Sequence, residues 1–186
     1  MVCHGGFSLD ESVRRSWYNP EVILENIGLK AGMTFVDVGC GDGFFSLLAA
    51  KVVGVNGKIY AVDTDSVAIE KLKNKAAQLG LQNIHATVGT GENTIFCKSC
   101  ADIIFYSMVL HDFQEPVKVL SNANQMLKPS GIIANLDWKK IQTPFGPPML
   151  IRFSEEYASD LIMQAGLKLR EIKEAGQYHY LITAGH

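Results

Sequence analysis

Val36-Asp37-Val38-Gly39-Cys40-Gly41-Asp42-Gly43 is the stretch that decides the fold. The run Met33-Thr34-Phe35-Val36 leads into an acid, three glycines follow at alternate positions, and a helix-like run from Phe44 to Val53 comes directly after. This order reads as a strand, a glycine-rich turn and a helix. Glycine is needed in such a turn because a side chain would forbid its positive φ angles or hold a ligand away from the backbone.

Outward from the turn, strand and helix signals alternate. Toward the N-terminus, Ser8-Leu9-Asp10-Glu11 has the spacing of a capping box and predicts a short helix through Arg15. Asn19-Pro20 predicts a second helix, with Asn19 as cap and proline in the first turn, ending at Gly28. The first strand is expected over 34–38. Beyond the turn, strands are expected over 58–62, 84–88, 101–106 and 132–136, with helices over 66–79 and 115–127. Lys128-Pro129-Ser130-Gly131 reads as a strong stop after the last of these helices. A loop rich in proline and glycine, Pro144 to Pro148, precedes a helix over 154–165, and residues 167–183 read as two strands joined near Ala175-Gly176.

Repeated strand–helix units predict an α/β fold: a Rossmann-like, doubly wound, seven-stranded and mostly parallel sheet with an antiparallel C-terminal hairpin strand. A chain of 186 residues suits one domain over 1–186, with residues 1–30 as N-terminal helices that could form a lid. In such sheets a ligand sits beyond the carboxyl ends of the strands, where the strand order reverses. Hydrophobic residues make up 47% and the net charge is −2, so the balance gives no reason to expect a nucleic-acid partner. No apolar run reaches the length of a membrane span. The N-terminus lacks the pattern of a secretory signal, so a cytoplasmic location is the expectation. Oligomeric state stays open, with a homo-oligomer allowed.

Two cofactor classes compete for the turn. Asp63 closes the second strand, and a carboxylate there can accept from both hydroxyls of a ribose. Nicotinamide dinucleotides and S-adenosylmethionine (SAM) share that feature. The dinucleotide fingerprint, however, needs Gly-x-Gly-x-x-Gly, whereas Gly39, Gly41 and Gly43 give Gly-x-Gly-x-Gly. Asp37 and Asp42 flank the turn with negative charge, which suits an ammonium group better than two phosphates.

These residues resemble motif I of class I SAM-dependent methyltransferases, and the resemblance covers nearly the whole chain. Gly57-Lys58-Ile59-Tyr60-Ala61-Val62-Asp63 is similar to the family's second strand and ribose-binding acid. The segment from Ala101 through His111-Asp112 is similar to its fourth strand and following loop, and Met126 to Gly131 to the turn before its fifth. The nearest group is that of the ubiquinone/menaquinone biosynthesis enzymes. The resemblance implies SAM as cofactor, S-adenosylhomocysteine (SAH) as product, and a small-molecule methyl acceptor. It implies that Asp37, Gly39, Cys40 and Gly41 face the methionine part, that Asp63 holds the ribose with Thr64 beside the adenine, and that Ser107 lies near the methionine amino group. Thr90 stands where the family often has an adenine-binding Asp, which leaves Gly91 and Glu92 as the alternative contacts. A non-catalytic SAM-binding partner or sensor is the rival reading, and a nicotinamide-dependent oxidoreductase a further one.

Several residues carry two readings. His111 follows the fourth strand on the side where a transferred methyl belongs, and can serve as a general base or as a supporting or capping residue. Cys40 fits a position that needs a small side chain, so packing accounts for it. Asp65 reads as a helix cap. Cys97-Lys98-Ser99-Cys100 offers two metal ligands where zinc wants four, and Cys3 and His4 would complete a set only by fortunate folding, so no metal is expected. Trp17, Tyr18 and Arg15 could cover the cofactor or simply pack, and Phe145 and Met149 could line an apolar acceptor pocket.

Overall fold

Asn19 and Pro20 set the chain's entry into the fold. In the computed structural model, which describes residues 11–186, the Asn19 side chain accepts from the backbone N–H of Glu21 and of Val22, at 3.0 and 3.2 Å. These bonds satisfy donors that the helix itself cannot, and proline takes the position where its missing N–H costs nothing. The helix they open, α2 (Pro20–Asn26), follows α1 (Glu11–Trp17). The start of the expected capping box, Ser8 to Asp10, lies outside the described residues, as do Cys3 and His4.

The remaining elements are β1 (Thr34–Val38), α3 (Phe44–Val53), β2 (Lys58–Asp63), α4 (Ser66–Gln78), β3 (Ile84–Val88), β4 (Ala101–Ser107), α5 (Pro116–Met126), β5 (Leu127–Trp138), α6 (Glu155–Gln164), β6 (Lys168–Glu174) and β7 (His179–Gly185). They build the seven-stranded sheet in the order β3-β2-β1-β4-β5-β7-β6. β1 to β5 pair in parallel with one another, while β7 runs antiparallel between β5 and β6. The order reverses between β1 and β4, so the crevice for a ligand lies at their carboxyl ends.

Alternation along the strands feeds two layers. Ile104 and Tyr106 of β4 face α5 and α6, packing with Leu120 and Ile162. Ile103 and Phe105 face the other way, toward Leu24 of α2 and Phe45 and Ala49 of α3. Both faces are covered, which explains the near-continuous apolar run of β4.

One sequence expectation changes. Lys128 to Gly131 is not a clean break between α5 and a strand over 132–136, because β5 already begins at Leu127, which pairs with Ala101. The next pair is Ile103 with Ile132, so residues 128–131 bulge out between them. Gly131 permits the return, since a Cβ there would lie 2.8 Å from the Ala101 carbonyl oxygen. Cys97 and Cys100 are joined as a disulfide before β4. Among the described residues no helix is long and apolar enough to cross a membrane.

Asp102 is the one charged residue inside β4. Its Oδ2 accepts from the Thr34 N–H at 2.8 Å and from Lys128 Nζ at 2.7 Å, tying β1 and the bulge to β4. Asp102→Ala strands the Thr34 donor and is expected to cost about 1–3 kcal/mol. Urea unfolding checks this, and an unchanged midpoint contradicts it.

Candidate active site

Three successive amides of the glycine turn are held by the end of β2. The Val62 carbonyl accepts from Gly39 N–H and Cys40 N–H at 2.8 and 3.1 Å, and Asp63 Oδ2 accepts from Gly41 N–H at 2.7 Å. The other Asp63 oxygen accepts from Asp65 N–H at 2.9 Å, and Asp65 in turn caps α4 through Val67 N–H. Gly39 has φ +76°, and a Cβ there would lie 2.5 Å from Val109 Cγ2, so only glycine fits.

Asp37 ends buried beside this turn. Its Oδ2 accepts from Ser46 Oγ of α3 at 2.6 Å, while its Oδ1 is buried without a partner among the described residues. Burial pushes its carboxyl up to about 7, against the Ser46 hydrogen bond and with help from the negative charge of Asp63. Asp42 behaves differently: its carboxylate is engaged by Lys75 at 2.7 Å. The negative charge available at the turn is therefore that of Asp37 and Asp63, because α4 presents a lysine to Asp42.

Two cavities flank the turn and share Gly39 and Asp112 in their walls. The larger, about 210 Å³, is lined by Arg14, Tyr18, Asp37, Gly39, Cys40, Gly41, Phe44, Ser107, Met108, His111, Trp138, Pro147 and Ile151 among others. The smaller, about 120 Å³, is bounded by Asp63, Thr64, Thr90, Gly91, Glu92, Val109 and Phe113 with their neighbours. Thr90 Oγ1 and Glu92 Oε1 are both buried there without partners among the described residues. The structure thus brings Asp37, Gly39, Cys40, Gly41, Ser107 and His111 to one cavity, and Asp63, Thr64, Gly91 and Glu92 to the other.

His111 belongs to a dyad that its own neighbourhood in sequence does not reveal. Its Nδ1 lies 2.8 Å from Oδ1 of Asp137 in β5, and Asp137 is fully buried. A carboxylate can only accept, so Nδ1 carries a proton, and Nε2 keeps its lone pair whenever the ring is neutral. Nε2 is 3.8 Å from Asp112 Oδ1, beyond hydrogen-bond reach. Burial works to lower the His111 pKa, but the charge and hydrogen bond of Asp137, with Asp112 behind them, outweigh it, and the net shift is upward from 6.5.

Other sequence expectations shift. Arg15 is an exposed ion-pairing residue, bonded to Glu11 and Glu21. It is Arg14, one helical position away, that lines the larger cavity, with its guanidinium 5.1 Å above the Phe44 ring. Tyr18 is buried in the cavity wall, and Trp17 stacks on Phe145 at 5.0 Å. The proline-rich loop contributes Gly146, Pro147 and Ile151 to the cavity instead of Phe145 and Met149, since Phe145 turns to Trp17 and Met149 is 47% exposed. Cys40 is buried, and burial drives its thiol far up, which makes it a packing residue.

Residues 29–178 match the family described as a methyltransferase domain. A SAM-dependent methyltransferase of Aquifex aeolicus superposes with a TM-score of 0.88 at 31% identity, over 95% of this chain and 98% of that one. A demethylmenaquinone methyltransferase of Staphylococcus aureus is 25% identical over 73% of this chain and 53% of its own. A ubiquinone/menaquinone biosynthesis C-methyltransferase of Haemophilus ducreyi is 24% identical over 93% and 64%. The chain thus spans between 53% and 64% of the length of these two curated relatives. With the reversed strand order and the glycine turn at the switch point, these matches show that the chain belongs to the family of SAM-dependent methyltransferases.

The dyad makes a prediction of its own. Asp137→Asn removes the charge that holds the His111 pKa up while leaving the ring buried, so the pKa should fall below its wild-type value. An NMR titration of the His111 ring reads this, and an unmoved or higher pKa contradicts the pairing.

Proposed function

We propose that this protein transfers the methyl group of SAM to a hydroxyl of a small, largely apolar acceptor and releases SAH. The observation that carries this reading is a pair of unpartnered buried atoms in residues that line one cavity. Among the described residues, Asp37 Oδ1 is an acceptor without a donor and Arg14 Nε a donor without an acceptor. The methionine half of SAM is a zwitterion whose ammonium and carboxylate complement the two. Asp63 retains lone pairs for ribose hydroxyls beside Thr64, and the orphan oxygens of Thr90 and Glu92 can accept from the adenine amino group. The residues present therefore fit the cofactor.

When bound, SAM supplies an electrophilic methyl on its sulfonium, and the protein's task is alignment. Phe44, Met108, Trp138, Pro147 and Ile151 provide apolar walls for the acceptor and exclude water. The demethylmenaquinone and ubiquinone/menaquinone relatives also favour a largely apolar acceptor. His111 Nε2 takes the proton of the acceptor hydroxyl, while Asp137 holds Nδ1–H, fixes the ring and stabilises the imidazolium. The dyad favours catalysis over a purely binding role.

Asp37 gives a pH test. An ammonium beside it needs the ionised carboxylate, whose pKa in the free protein is about 7. SAH affinity should therefore rise with pH up to about 7 and then level, with proton release on binding below that point. Calorimetry in buffers of different ionisation enthalpy measures both, and a flat affinity from pH 5.5 to 8 contradicts the role of Asp37. Asp63→Ala should weaken SAH binding about 10- to 100-fold. His111→Ala should leave that affinity unchanged and lower turnover roughly a hundredfold or more. Stabilisation by NAD but not by SAH in a thermal-shift assay would sink the reading.

A further inference from the structure

Arg152 lies just before α6, outside the methyl-transfer machinery, yet it is 2% exposed and no carboxylate among the described residues is bonded to it. Its guanidinium makes five hydrogen bonds. Nε donates to the Pro147 carbonyl, Nη1 to the Lys139 and Ile141 carbonyls, and Nη2 to Thr143 Oγ1 and the Phe145 carbonyl. Every N–H of the fork is used. The partners are the alternate residues 139, 141, 143, 145 and 147, so one side chain gathers the whole loop that follows β5.

That loop has no helix or strand to satisfy its carbonyls, and the half-buried residues Lys139, Phe145 and Pro147 present theirs to Arg152. It also forms one side of the larger cavity through Gly146, Pro147 and Ile151. Arg152 further lies 4.9 Å from the Trp138 ring, Gly146 packs on the same ring with no room for a Cβ, and Trp17 stacks on Phe145. Arg152 also acts on the dyad, since its positive charge lowers the His111 pKa against the pull of Asp137 and Asp112.

We propose that Arg152 is a positioning residue that holds residues 139–147 as a fixed wall and so sets the shape of the acceptor half of the site. The inference rests on the methyl-transfer reading only for the word acceptor. The fork is essential to it: a lysine has three donors on one atom and cannot span five acceptors spread along nine residues.

The two tryptophans of the chain, Trp17 and Trp138, both sit in this cluster, so their emission reports the wall. Acrylamide quenching should rise severalfold in Arg152→Lys and in Arg152→Gln, because neither can replace the fork. In an NMR titration the His111 pKa should move up in Arg152→Gln and much less in Arg152→Lys, which keeps the charge. SAH affinity, measured by calorimetry, should change by less than about twofold, as for sites without shared partners. Quenching equal to wild type in Arg152→Lys overturns the proposal, as does a loss of SAH affinity that matches the gain in quenching. Thr143→Val removes a single acceptor and carries the test if the arginine variants do not fold: increased quenching upholds the clamp, unchanged quenching rejects it. A wild-type protein that fails to bind SAH defeats the methyl-transfer reading instead and leaves the quenching result to judge the clamp.

Discussion

The site depends on the end of β2 holding the turn after β1. With Gly39, Cys40 and Gly41 donating to Val62 and Asp63, the backbone is folded back tightly enough that Val109 packs against the Gly39 Cα. Neither feature stands without the other. The parallel register of β1 with β2 brings Val38 opposite Val62, which places the acceptors under the turn. The absence of a side chain at Gly39 then lets the loop after β4 close in from the other side. Both cavities are consequences of that closure, and Gly39 and Asp112 form the ridge they share.

Charge around the turn is partitioned by burial. Asp42, half exposed, spends its carboxylate on Lys75, and Asp63 is committed to backbone donors. Asp37 has one serine bond and only a small pull from the Arg14 charge, so water's loss is only partly offset and its pKa climbs. A group in that state is a poor stabiliser of the fold and a good receptor for a cation, because a ligand's positive charge restores what burial removed. In the His111–Asp137 pair each partner offsets part of the other's burial, with Asp137 Oδ2 left unpartnered among the described residues.

Much of this was legible in the sequence because its signals are local. Asn19-Pro20, Asp65 and Gly28 mark helix ends through bonds made within a few residues, and the near-continuous apolar run of β4 follows from a sheet covered on both faces. The glycine turn was legible for the same reason: spacing along one chain segment carries its geometry. What was not legible depends on register between distant segments. Asp137 reaches His111 only because β5 lies beside β4, Arg14 replaces Arg15 because the phase of a short helix decides which side chain points inward, and the Lys128–Gly131 bulge exists because Leu127 finds Ala101 first. Arg152 left no pattern at all, since its partners are mainly main-chain carbonyls, which every sequence has.

A crystal structure with SAH tests the central claim most directly. Adenosine should lie in the smaller cavity with its ribose on Asp63, and the homocysteine ammonium on Asp37 Oδ1, with the sulfur directed toward the wall that holds His111. SAH bound away from the Gly39–Gly43 turn, or with its ammonium remote from Asp37, would contradict it.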